Sequence, residues 1–277
     1  MGQSMRYHNF KDLFERLSGK NLDAYLGVDA SIPNFDFGDI MVIGRTSEIV
    51  GLVNYAVDLM SVDKFFLPYD TVAYSFRLED GLEVVSVATT NQLAASGPRE
   101  PNSISIYTAV MADNINIVAD GLVNVYHDKS GGKLGLNLST PRLHNVAGAE
   151  FNQEYAKFLK MIVGDFVGNL IPALTVMLDA QGVERRVTPP PERLNKARVK
   201  AGKSPIGEIH EIIIRVGDKE YAHSGHEIGG GHASPRLHWR RGHIRKLPNG
   251  SITNVRPCLV GALTNDVPKK PDYTIRG

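Results

Sequence analysis

Between Lys64 and Leu138 apolar side chains alternate with polar ones, and valine, isoleucine, threonine, tyrosine and phenylalanine carry the alternation. A period of two sends successive side chains to opposite faces, which fits a strand and not a helix. β-Branched and aromatic residues also fill a pleated surface well. Turn residues divide the run. Val72–Leu78 leads into Glu79-Asp80-Gly81 and Leu82–Ala88 returns, which predicts a hairpin. After a loop over Asn91–Asn102, strands are expected at Ile104–Met111, Asn114–Val118 and Gly121–His127. A last one, Leu134–Leu138, follows the Ser130-Gly131-Gly132 turn. The expectation is one antiparallel sheet of about five or six strands.

Helical spacing lies on both sides of this run in the chain. Phe10, Leu13, Phe14 and Leu17 give Asn9–Leu17 an apolar stripe, with Lys11, Asp12, Glu15 and Arg16 outward. Thr46 can cap a second helix with Ile49, Val50, Val53, Val57 and Met60 inward. Ala149–Asp179 is the longest such pattern, and Pro172 should kink or end it. Residues 27–41 hold the Gly, Pro, Asn and Asp of a loop.

The last third differs in kind. Pro189-Pro190-Pro191 is stiff and extended, Glu192–Lys200 reads as a short basic helix, and Gly202 suits its end. Glu208–Val216 reads as a strand, Lys219–His223 as its short return, and Gly225–His232 as a loop. Then Arg236, His238, Arg240, Arg241, His243, Arg245 and Lys246 crowd around Trp239, the single tryptophan. Pro248-Asn249-Gly250 predicts a tight turn and Ser251–Val255 a return strand. Gly242 marks a bulge or a close approach. A bulge there would turn His238 and His243 to one face. Val260–Gly277 reads as an irregular tail.

The fold class expected is α+β: an antiparallel sheet with helices packed on one side, plus a small β-rich C-terminal domain. The divisions are 5–186, a basic linker and short helix at 187–206, and 207–277.

Composition narrows the function. A chain of 277 residues, 42% hydrophobic and 22% charged, can bury a sizeable core. The net charge is only +1, so attraction to a polyanion must be local. Residues 184–203 hold seven Lys or Arg against two Glu, and 236–246 hold five and no acid. One cysteine, Cys258, excludes an intrachain disulfide and fits a reducing compartment. No apolar run reaches the roughly 18 residues of a membrane span, the first residues lack a signal-peptide core, and Arg6 stands where N-myristoylation needs Ser or Thr. A cytoplasmic location and no membrane partner are expected.

The chemistry points to an anion. His223, His226, His232, His238, His243 and Cys258 are capable ligands, but CxxC and HExxH spacings are missing and the interleaved arginines repel cations. No metal and no cofactor are expected. Gly229–His232 lacks the Lys-Ser/Thr of a P-loop, and no GxSxG occurs. Arginine forks match phosphate, and histidine can take or give a proton near neutrality. Arg236, Arg240, Arg241 and Arg245 are the phosphate candidates, Trp239 can stack a base, and Lys196, Arg198 and Lys200 would extend the track. His238 and His243 are acid and base candidates for a metal-independent ribonuclease. Three alternatives stand beside nucleic-acid binding. The hairpin's cations could bind the chain's own carbonyls and carboxylates. It could clamp a homo-oligomeric assembly protein, with Arg241 on a neighbour's carboxylate. It could hold a small phosphorylated molecule to blunt host defence.

Two segments carry a resemblance. Pro191-Glu-Arg-Leu-Asn-Lys-Ala-Arg-Val-Lys-Ala-Gly-Lys-Ser-Pro-Ile206, followed by a strand with a histidine, is one. Arg236-Leu-His-Trp-Arg-Arg-Gly-His-Ile-Arg245, an Arg-x-His-x-x-Arg-Gly-His motif closed by Val260-Gly261, is the other. Leu67-Pro68-Tyr69-Asp70 adds a weaker likeness. Together they resemble a family of uncharacterised proteins of tailed bacteriophages and prophages, over about a quarter of the chain. The resemblance implies a viral setting, hence the host cytoplasm, and brings no reaction with it.

Overall fold

The computed structural model describes residues 5–28, 31–39, 46–78, 81–91, 103–112, 115–138, 142–144, 161, 167–214 and 238–260. In chain order these form α1 (Tyr7–Ser18), α2 (Leu22–Leu26), β1 (Asn34–Asp39), α3 (Thr46–Ser61), β2 (Thr71–Arg77), β3 (Glu83–Thr89), β4 (Ile104–Ala112), β5 (Ile115–Asp128), β6 (Lys133–Leu138) and β7 (Arg142–His144). There follow α4 (Val167–Met177), β8 (Val183–Thr188), α5 (Glu192–Lys200), β9 (Ile209–Ile214), β10 (His238–Arg240), β11 (His243–Lys246), β12 (Ile252–Val255) and β13 (Cys258–Val260).

The alternating run makes the antiparallel part of one sheet, with neighbours in the order β6-β5-β4-β3-β2 and β7 paired to β5. The two strands expected over Asn114–His127 are one, β5, which pairs with β4 from Ile115 to Val125 across one register shift. The sheet does not stop there. β1 runs parallel to β2 and to β9, and β8 closes the edge antiparallel to β9. The whole is therefore mixed and not antiparallel throughout. β9 sits in its interior, so the division drawn at residue 207 falls between β8 and β9, which are hydrogen-bonded neighbours.

β1 lies where the sequence reads as loop. Its alternation is inverted in appearance, because Asn34 and Asp36 are buried along with Phe35 and Phe37. Buried polar groups need partners, and these have them. Asn34 Oδ1 accepts from the Tyr7 amide at 2.8 Å and its Nδ2 donates to Ser75 Oγ at 2.9 Å. Arg6 Nε donates to Asp36 at 3.2 Å and its other arm reaches Glu211 at 3.1 Å. The phenylalanines face the opposite side and join the main core.

Helices cover both faces, where the sequence reading put them on one. α1 and α2 bury Tyr7, Phe10, Phe14, Leu22 and Leu26 against Val85, Val87, Tyr107 and Ala109. Each such side chain contributes about 1.5–3 kcal/mol on burial, more than a short helix's intrinsic preferences supply. α3 and α4 cover the other face, over Phe35, Tyr74, Phe76, Val84, Ile106 and Val123. The buried face of α3 is centred on Leu52, Tyr55, Ala56 and Leu59, with Val57 and Met60 also buried; Val50, expected inside, is 52% exposed. α4 is buried all round except at Asn169 and carries Pro172 within it. That is the pattern of a helix enclosed by the fold. Except for Met161, residues 149–166 of the long helical pattern lie outside the described residues.

Candidate nucleic-acid interface

The basic stretch near the carboxyl end folds as a single two-stranded ribbon. β10 pairs with β13 and β11 with β12, and the register is the same on either side of a short break. Across that break Arg241 and Gly242 stand opposite Arg256 and Pro257, two residues against two. No extra residue is inserted, so Gly242 is not a bulge. It is the close-approach point: a Cβ there would lie 2.7 Å from the Tyr55 ring and 2.9 Å from Pro257. The Pro248-Asn249-Gly250 turn closes the ribbon, with Gly250 at φ 81° and Leu247 N donating to Ser251 O at 2.8 Å.

The ribbon rests on α3 and the end of α4. Gln181 N donates to Pro257 O at 3.2 Å, and Ile244 turns inward onto the main core. Two cations lie in the break and are each paired within this same chain: Arg241 with Asp58 at 3.3 Å and Arg256 with Asp179 at 3.5 Å. The Tyr55 hydroxyl beneath them is buried without a hydrogen-bond partner among the described residues. Burial, and after it the Asp179 carboxylate, push that phenol up to about 12.

The remaining cations are exposed. Since Ile244 points in, its strand neighbours His243 and Arg245 point out, while Lys246 shares the Ile244 side near the turn and is exposed there; Arg240, before the break, is exposed too. Arg240, Arg245 and Lys246 have no ion-pair partner among the described residues, and no Asp or Glu occurs between positions 236 and 260. Arg236 and the side chains of His238 and Trp239 lie outside the described residues, as do His223, His226 and His232. The bulge that would have turned His238 and His243 to one face is not there.

Lys196, Arg198 and Lys200 sit on α5, a helix with no buried residue. Arg198 is not part of a free track. It forks onto both oxygens of Asp12 at 2.9 Å and donates to Ser204 O at 2.9 Å, and Lys203 reaches the same carboxylate at 3.3 Å. One turn earlier Asn195 clasps the Ile206 backbone through both its side-chain atoms, at 2.9 and 2.8 Å. These two residues tie α5 to the α1 side of the molecule. The ribbon is tied to α3, on the other face of the sheet, so the structure does not bring the two basic segments together.

Two clusters escaped the sequence reading. Lys11 and Asp23 form a buried pair between α1 and α2, and Tyr7 Oη donates to Asp23 at 2.8 Å. Burial pulls the Lys11 ammonium down to about 8, and the Glu15 carboxylate opposes that. The adjoining cleft, lined by Tyr7, His8, Lys11, Asn34 and Arg198, has room for about one water-sized group. At the other cluster Tyr69 Oη donates to Glu208 at 2.5 Å, and His210 Nε2 meets the same oxygen at 2.8 Å. His210 is 1% exposed, stacked on Phe35 with ring centroids 4.4 Å apart, and its Nδ1 has no partner among the described residues. The hydrogen bonds from Tyr69 and then His210 hold the Glu208 carboxyl below the usual range. These hydrogen bonds join the weaker resembling segment, Leu67–Asp70, to the strand with a histidine that follows the first one.

Among the described residues no three His, Cys, Asp or Glu gather as metal ligands, and no helix is long and apolar enough to cross a membrane. No protein-family model, no curated protein and no solved structure matches the chain.

Proposed function

We propose that the protein binds nucleic acid through the exposed cations of the C-terminal ribbon, in a viral setting and without cleaving it. One observation carries this: Arg240, Arg245 and Lys246 are exposed and have no ion-pair partner among the described residues, on a ribbon devoid of acids, while Arg241 and Arg256 are engaged by Asp58 and Asp179. A rigid two-stranded ribbon of this kind can enter a groove or lie along a phosphate backbone. The ribonuclease version needs His238 and His243 on one substrate, and an unbulged ribbon does not support that.

The test is binding of labelled RNA and DNA over a range of salt. Wild type should weaken steeply as salt rises. Arg240→Gln, Arg245→Gln and Lys246→Gln combined should flatten the dependence by about one unit of log–log slope for each phosphate left without its cation. Binding indifferent to both salt and these substitutions would falsify the reading. Ile252 and Val255, 44% and 36% exposed on the return strand, favour the assembly alternative. Light scattering that shows a large closed oligomer, with no retention of nucleic acid, would select it.

A further inference from the structure

We infer that the outer face of α5 is a second, independent nucleic-acid surface, so that one molecule bridges two nucleic-acid segments. This rests on the nucleic-acid reading of the ribbon. On α5, Asn195 and Arg198 are three residues apart and define the side turned to the protein. Both are half-buried and both are hydrogen-bonded to the body. Arg193, Lys196 and Lys200 follow helical spacing on the opposite side, and all three are exposed. None of the three has an ion-pair partner among the described residues. The helix's single acid, Glu192, sits in its first turn, where it complements the backbone dipole.

The helix buries no apolar side chain, so its core contribution is slight and its cationic face is what it presents. A row of cations about one turn, roughly 5 Å, apart can lie along a phosphate backbone, which carries one charge per roughly 3.4 Å of each strand. The same row cannot share a duplex with the ribbon. α5 is joined to α1 through Asp12 and the ribbon to α3 through Asp58, on opposite faces of the sheet, and each intervening layer is about 10 Å thick.

The test mixes donor-labelled and acceptor-labelled duplexes, RNA and DNA in separate arms, and reads energy transfer between them with protein added. Wild type should produce transfer that high salt abolishes. Arg193→Glu/Lys196→Glu/Lys200→Glu should lose the transfer and still retard a single duplex through the ribbon. Arg240→Gln/Arg245→Gln/Lys246→Gln should also lose it and still retard through α5. Circular dichroism confirms that each variant is folded. Transfer that survives the α5 substitutions overturns the inference, since bridging would then come from self-association. Single-duplex binding by wild type without any transfer overturns it too and leaves the ribbon reading intact. If only the α5 variant loses single-duplex binding, the ribbon reading fails and a lone α5 site remains, so bridging fails with it.

Discussion

Around β1, Arg6, Lys11, Asn34, Asp36 and Asp23 are enclosed and each has a partner from another element. On the C-terminal ribbon Arg240, Arg245 and Lys246 are exposed and have none among the described residues. The two regions use the same residue types to opposite ends. In the first, low dielectric makes an unmatched charge costly, so the polar groups act as locks between strand and helix. In the second, water solvates the charges, and they stay available to an outside partner.

The largest expected effect breaks the interior lock. Asp23→Asn leaves Lys11 enclosed without its counter-charge and should cost about 3–5 kcal/mol in urea unfolding. Replacing both, Lys11→Met with Asp23→Leu, should recover most of that loss, because no charge is then left unmatched. A near-neutral single substitution would mean that Lys11 reaches water, and the contrast between the regions would blur.

Next in size is the joint between ribbon and body. Gly242→Ala sets a methyl group 2.7 Å from the Tyr55 ring, so ring or ribbon must move. Overpacking of this kind costs about 1–3 kcal/mol. The loss should be local: hydrogen exchange over residues 238–260 should rise while β2 to β5 keep their protection. Equal loss across the sheet would show the ribbon to be part of the core and not an attachment to it.

What was legible follows from the same contrast. β2 to β6 show in the sequence because β-branched and aromatic residues fill them and turn residues separate them. The ribbon's turn shows because Asn249-Gly250 can take the backbone it needs. β1 does not show, since Asn34 and Asp36 look like loop residues until Tyr7, Arg6 and Ser75 are known to meet them. Those partners are 27 to 41 residues away or, for Arg6 and Asp36, 30, and no local period reports them. The same holds for the site. The density of cations near Trp239 and on α5 was visible, but which of them are neutralised depends on Asp58 and Asp179 for the ribbon and Asp12 for α5, each distant in sequence. Nothing local set Arg198 apart from Lys196 and Lys200.

Arg198 therefore tests the contrast most finely, being a basic residue of an exposed helix that behaves as an interior one. Its hydrogen bonds hold the Asp12 carboxyl below the usual range, with Lys203 adding to the effect. The sign follows directly. Unfolded Asp12 titrates near about 3.9, and the folded group binds its proton less readily. The pair's contribution is thus complete above that value and disappears as pH falls through the lowered folded one. At pH 7 Asp12→Asn should cost about 1 kcal/mol, and the gap from wild type should close in acid below the ordinary carboxylate range. Arg198→Gln should show the same stability loss at neutral pH while leaving the salt slope of nucleic-acid binding unchanged. A flattened slope with unchanged stability would move Arg198 into the outward class, and α5 would have to be held by Asn195 instead.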